Sequence, residues 1–246
     1  MTGSAWYRSW FGEEYLELYP HRDEEEAVAA VKLLLERVPG LRGGSVLDLA
    51  CGAGRHLGPL EAGGLAPVGL DLSLPLLLRA QELGVKAPLV RGDMRALPFR
   101  AAAFSVLTSF FTSFGYFADE TDDHGVVAEM RRVLLPGGHL LLDFLNSELV
   151  RETLSPRDED ELDGRAVIQE RRLIEGGKVV EKRIRIEGEG SVAPQVFRER
   201  VRLYSAEELE SLLVDAGFSL RARLGDYSGT EFDPSSPRVI LLALAT

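Results

Sequence analysis

Val46-Leu47-Asp48-Leu49-Ala50-Cys51-Gly52-Ala53-Gly54-Arg55-His56 constrains the rest of the chain more than any other stretch. Apolar residues at 46, 47, 49 and 50 read as a short buried strand. Gly52 and Gly54 read as a turn where a side chain would be in the way, and the residues beyond it can start a helix. Strand, glycine turn and helix together aim backbone N–H groups and a helix N-terminus at a ligand. The dinucleotide fingerprint G-x-G-x-x-G is not met: counted from Gly52, the third glycine position is Leu57, and Gly58 comes one residue late.

Such a turn needs a sheet to carry it, and the remaining sequence supplies one. The second strand is Ala66–Leu70, with Asp71 at its C-terminal end, 19 residues past Gly52. An acid about 20 residues beyond the turn is where ribose hydroxyls need a paired acceptor. Leu89–Arg91 is a third strand, running into Gly92-Asp93-Met94, and Phe104–Ser109 is a fourth. It leads into an aromatic run, Phe110-Phe111-Thr112-Ser113-Phe114-Gly115-Tyr116-Phe117. Ser113 and Tyr116, polar among apolar neighbours, are site candidates there. His139–Leu145 is a fifth strand with Asp143 inside it, a costly place for a carboxylate unless it is paired or meets a cleft. Helices are expected over 23–38, 55–61, 74–83, 122–135 and 205–215. The last two strands, Phe218–Leu224 and Arg238–Leu244, are expected to pair antiparallel at the sheet edge.

Between them, the charged residues 151–164 read as a loop. Three β-like segments follow, Ala166–Ile174, Val179–Glu187 and Gln195–Leu203, the first two joined by the turn Glu175-Gly176-Gly177-Lys178. Alternating Arg/Glu with Val/Ile gives that sheet one wet face. Before the first strand, residues 5–22 concentrate Trp6, Tyr7, Trp10, Phe11, Tyr15 and Tyr19, which cannot all be solvated cheaply. They either pack a helix on the body or form a lid over a cleft.

Composition excludes several functions. No apolar run in the 246 residues reaches membrane-spanning length, and the N-terminus has no apolar signal core. A single cysteine rules out an internal disulfide and makes a reducing cytoplasm the default; Cys51 reads as a small buried residue. A net charge of −11 argues against general nucleic-acid binding, which needs cationic surface. No metal-ligand spacing stands out.

The glycine turn with Asp48, Ala50, Gly52 and Gly54 resembles the first motif of the class I methyltransferases that use S-adenosylmethionine (SAM). Val68-Gly69-Leu70-Asp71-Leu72-Ser73 resembles the second, Gly92-Asp93-Met94 the adenine turn, and Leu134-Leu135-Pro136-Gly137-Gly138 the loop before the fifth strand. Phe104-Ser105 departs from the family, which has Phe-Asp there. The resemblance implies an α/β fold: a seven-stranded, mostly parallel sheet with helices on both faces, plus a small antiparallel β insertion after strand five. It implies one methyltransferase domain over 1–246, with an aromatic helical lid (1–43), a SAM-binding core (44–150), the insertion (151–204) and a C-terminal helix and strands (205–246).

The same resemblance implies roles. Asp48, Ala50, Gly52, Gly54, Asp71, Leu72, Gly92, Asp93, Met94, Ser109 and Phe110 would hold the cofactor. Tyr15, Tyr19 and Arg22 of the lid would reach its methionine part, and Trp6, Tyr7, Trp10, Phe11, Ser113 and Tyr116 would line the acceptor side. S-adenosylhomocysteine would be the product and a small organic molecule, methylated at O, N or C, the acceptor. A general base is needed only if the acceptor must first lose a proton; His21, His124, Tyr116 and Asp143 are candidates. The β insertion either lies over the cleft or joins two copies as a homodimer. The alternatives are an RNA or protein methyltransferase and a SAM-binding regulatory protein without turnover.

Overall fold

In a computed structural model, residues 5–19, 24–188 and 193–246 are described. The N-terminal segment makes two short helices, α1 (Tyr7–Trp10) and α2 (Glu13–Leu18), instead of one continuous helix, followed by α3 (Glu24–Arg37). Three acids in the first turn of α3 suit its positive dipole end. Then β1 (Ser45–Leu49), α4 (Leu57–Ala62), β2 (Ala66–Asp71), α5 (Leu74–Glu82), β3 (Leu89–Arg91), β4 (Phe104–Ser109), α6 (Glu120–Val133) and β5 (Leu134–Leu145) alternate along the chain.

After α7 (Ser147–Thr153) come β6 (Arg157–Leu162), β7 (Arg165–Ile174), β8 (Val179–Ile186) and β9 (Gln195–Arg202). The chain ends with α8 (Ala206–Asp215), β10 (Phe218–Leu224) and β11 (Arg238–Ala245). Ser205 opens α8 with a capping box: its hydroxyl accepts from the Glu208 N–H, and the Glu208 carboxylate accepts from the Ser205 N–H.

Seven strands form the central sheet in the order β10-β11-β5-β4-β1-β2-β3. β1, β2, β3, β4 and β5 pair in parallel, and β11 runs antiparallel between β5 and β10. The antiparallel strand therefore lies inside the sheet, and β10 forms the edge. Both faces are covered, which explains why the strands read as nearly continuous apolar runs. On one face α6 and α8 pack through Val126, Met130, Leu209 and Leu213. On the other, α3 and α4 pack through Val31, Leu34 and Leu60 against Val46, Val106 and Leu141.

The chain lays β1, β2 and β3 outward to one side, then returns to place β4 on the other side of β1. Connections diverge there, and a crevice opens at the carboxyl ends of these strands, the usual ligand position in such sheets.

A second sheet, β6-β7-β8-β9, is antiparallel throughout. Its inward residues Val167, Ile184 and Ile186 cluster with Trp6, Trp10, Tyr15 and Leu76, so it clasps the N-terminal helices against the body. The stretch read as a loop at 151–164 is instead α7 and the edge strand β6. Arg157-Asp-Glu-Asp-Glu carries no apolar alternation to reveal a strand, because all five residues are exposed. Dense charge on an edge blocks pairing with further strands.

Candidate functional site

A cavity of about 1100 Å³ runs along the carboxyl ends of β1 to β4. A single small-ligand site typically takes roughly 300–1,000 Å³, so this one has room for a second molecule. One wall is the loop from Ala50 to Gly54, which follows β1. Ala50, Gly52 and Gly54 all have left-handed backbones, with φ of 59°, 56° and 81°. At Gly54 a side chain would also collide: its Cβ would lie 3.0 Å from Val85 Cγ2 and 3.2 Å from Leu57 Cδ1. Left-handed alanine is uncommon, and strain of this kind gathers at ligand sites.

Asp71 ends β2 at the same wall. Its Oδ2 accepts the Gly52 N–H at 2.8 Å and its Oδ1 the Ser73 N–H at 2.7 Å. Burial pushes its carboxyl above the usual range, against the pull of those backbone hydrogen bonds. Each oxygen keeps a lone pair for a ligand hydroxyl. Leu72, Gly92, Asp93 and Met94 continue the wall beyond β2 and β3. Arg95 holds Asp93 from both sides, Nε to Oδ1 at 3.0 Å and Nη2 to Oδ2 at 2.8 Å, which keeps its carboxyl below the ordinary value.

The opposite wall is aromatic. Trp6, Tyr7, Phe11, Tyr15, Tyr19, Ser113 and Tyr116 all line the cavity, as does Phe110 at the end of β4. Phe11 stacks on Tyr116 at 5.9 Å and Trp6 meets it edge-on at 5.0 Å. Ser73 Oγ donates to the Phe11 carbonyl at 2.5 Å, tying the N-terminal segment to the tip of β2.

Several expected residues stand elsewhere. Asp48 is fully buried beneath the loop, not on the cavity wall. Its register partner on β4 is Thr108, whose hydroxyl bonds it at 3.0 Å, and burial raises its carboxyl to about 7. Ser109 is likewise enclosed within β4, its hydroxyl without a partner. Trp10 is wholly buried against the second sheet, its indole N–H donating to Glu199 at 2.5 Å, so it packs structure and is not part of this cavity's wall. His124 points to solvent from α6, whose inward positions are Asp123, Val126, Val127 and Met130.

Asp143 does not line the cavity either. It is buried and locked by Arg238 (Nη2 to Oδ2, 3.0 Å), the Tyr227 hydroxyl (2.5 Å) and the Phe111 N–H (2.7 Å). His21 and Arg22 lie outside the described residues. Of the four base candidates, Tyr116 is the one among the described residues that lines the cavity.

Sequence reasoning missed His56 and Glu199. His56 lines the cavity directly after the glycine loop and stacks on Phe110 at 4.1 Å. Burial, then the neighbouring Arg55 charge, keeps it neutral well below its usual pKa, and its Nε2 has no hydrogen-bond partner. Its place beside Gly54 was the available signal. Glu199 arrives from β9, too far along the chain for any spacing rule to connect it.

Residues 46–138 match the family described as "Methyltransferase domain". The chain is 34% identical over 119 residues to the dTDP-3-amino-3,4,6-trideoxy-α-D-glucopyranose N,N-dimethyltransferase of Streptomyces venezuelae, covering 48% of each protein. It is 37% identical over 119 residues to the demethylmenaquinone methyltransferase of Thermus thermophilus, covering 46% of this chain and 50% of that protein. The alignments span about half the length of these relatives. Among solved structures, the CcbJ methyltransferase from Streptomyces caelestis superposes with a TM-score of 0.81 over 96% of this chain and 98% of that one, at 20% identity, a likeness of fold.

Proposed function

We propose that this chain, which has the class I methyltransferase fold and matches a methyltransferase domain over residues 46–138, moves a methyl group from SAM to a small organic acceptor. The observation that carries the reading is one cavity with two unlike halves. A strained glycine loop, Asp71 and Gly92–Met94 form one half; stacked aromatic rings form the other.

The residues present fit SAM. Gly52 and Gly54 bring the main chain close to a ligand where side chains would intrude, and Asp71 offers both carboxylate oxygens to ribose hydroxyls. Asp93 and Met94 suit an adenine, the carboxylate accepting from its amine and the thioether covering a ring face. Tyr15 and Tyr19 line the same cavity and would hold the methionine part. When bound, SAM supplies an electrophilic methyl group on a sulfonium.

The chain's own contribution is position and dryness. Trp6, Phe11, Phe110 and Tyr116 exclude water and orient the acceptor; well-oriented reactants gain roughly 7–11 kcal/mol of barrier. Tyr116 can accept a hydrogen bond from the acceptor or donate one to it. The relatives that act on an aminodeoxy sugar nucleotide and on demethylmenaquinone make a small metabolite the natural acceptor class. No helix among the described residues is long and apolar enough to cross a membrane. The net charge of −11 disfavours RNA, whose binding needs cationic surface.

The test is transfer of labelled methyl from SAM to three separate pools: small metabolites, RNA and protein. The expected result is label in the metabolite pool. Label in RNA or protein alone would replace this reading, and label in none would leave a SAM-binding protein without turnover.

A further inference from the structure

A second cavity of about 460 Å³ adjoins the first and shares Trp6, Tyr7, Tyr116 and Phe117 with it. Its other lining is rich in arginine. Arg8, Arg95, Arg200 and Arg202 all face it, against Asp122 and Glu175. In a chain with 28 basic and 39 acidic residues, four arginines against two carboxylates on one cavity wall is a local concentration of guanidinium groups, each with a carboxylate close by. The four arginines come from α1, the turn after β3, and β9, so it is the fold that gathers them.

Two of the four are committed. Arg95 is bonded to Asp93 and Asp122, and Arg202 to Asp123 and the carbonyls of Phe117 and Ala118. The other two keep donors to spare. Arg8 is more than half exposed and, among the described residues, pairs with Asp93 at 3.6 Å. Arg200 donates through Nη2 to Glu175 at 2.9 Å and its buried Nε stands 3.4 Å from Glu181 Oε2, an ion pair not aligned for a hydrogen bond, so Nη1 is its uncommitted end. At the partition between the cavities, Trp6 is 7% exposed and its indole N–H is without a hydrogen-bond partner. A guanidinium offers five donors in a planar fork, matched to oxyanions.

We propose that this second cavity is an oxyanion subsite for the methyl acceptor. The acceptor's reacting end lies among the rings of the large cavity, and its phosphate or carboxylate end docks on Arg8 and Arg200. The inference rests on the methyl-transfer reading above and narrows its acceptor to an anionic one.

Calorimetry on the full chain tests it with two probes, inorganic pyrophosphate and the dicarboxylate glutarate, with and without S-adenosylhomocysteine. At low salt, at least one probe should bind with Kd of about 1 mM or tighter. Arg200→Gln and Arg8→Gln should each weaken it by about tenfold or more, the cost of losing a charged hydrogen-bond partner. Arg183→Gln, an exposed change on the same sheet, should leave probe binding unchanged, as Arg200→Gln should leave S-adenosylhomocysteine affinity. Tighter pyrophosphate binding assigns a phosphate end; tighter glutarate binding assigns a carboxylate end.

Absence of binding by both probes at roughly 10 mM would overturn the proposal, as would equal losses in the Arg183 and Arg200 variants. Because S-adenosylhomocysteine binding is read separately, such a failure would leave the methyl-transfer reading standing.

Discussion

Two residues around the glycine loop carry opposite lessons about what a side chain can tell in advance. Gly54 was readable: a glycine closing a strand–turn–helix junction. Its φ of 81° and the 3.0 Å approach its Cβ would make to Val85 give the physical reason. Gly54→Ala should therefore destabilise the fold by roughly 1–2 kcal/mol from the left-handed backbone alone, measured by denaturant unfolding. An unchanged midpoint would contradict that account.

Asp48 was readable as a motif acid but not as a buried one. Its carboxyl titrates at 3.8 in a free chain and about 7 in the fold, where burial disfavours the charge. Between those values the folded state holds a proton that the unfolded state has released. Its contribution to stability is thus complete below the lower value and lost as pH rises through the upper one. The difference is worth on the order of 4 kcal/mol. Asp48→Asn removes this slope, so from pH 4 to 8 the variant should gain stability relative to the parent. Asp123, raised to about 6 by burial, titrates in both proteins and cancels. Parallel stability curves for the two proteins would refute the burial argument.

At the scale of elements, the loop after β4 shows how a distant strand shapes the site. Phe111 and Thr112 both adopt left-handed backbones, at φ of 59° and 61°. They stay there because Asp143 on β5 accepts the Phe111 N–H through its carboxylate and the Thr112 N–H through its carbonyl at 3.0 Å. Arg238 on β11, two residues from Ile240, the register partner of Asp143, neutralises that carboxylate. Asp143→Asn leaves the Arg238 charge buried without its partner, a change that typically costs about 3–5 kcal/mol. For a chain of this size that is a Tm lower by on the order of 10 °C. A Tm within about two degrees of the parent would show that the pair does not hold the loop.

The sequence could place a carboxylate inside a strand and state that it needed a partner. It could not say that the partner was Arg238, because antiparallel register between β5 and β11 is not written in local spacing. The edge strand β6 escaped for a related reason: it is defined by pairing with β7, not by apolar alternation.

For the whole molecule, the glycine-loop half and the aromatic half of the cavity differ in how they are encoded. Ala50–Gly54, Asp71 and Gly92–Met94 follow successive strands of one sheet, so fixed geometry turns into fixed sequence spacing and the motifs are legible. The facing wall is assembled from the N-terminal helices, the loop after β4 and β9 of the second sheet. No spacing rule links those parts. The aromatic N-terminus was divided in a way composition could not foresee: Trp10 serves the packing, whereas Trp6, Tyr7 and Phe11 face the cavity.

The central claim is that the glycine loop and Asp71 together hold the nucleoside, and titration of S-adenosylhomocysteine into the parent and Asp71→Ala proteins measures it most directly. The expected result is one site per chain in the parent and an affinity lower by about 10- to 100-fold in the variant, the worth of hydrogen bonds to a charged group. Equal affinity in the two proteins, or no binding by the parent at millimolar ligand, would contradict it.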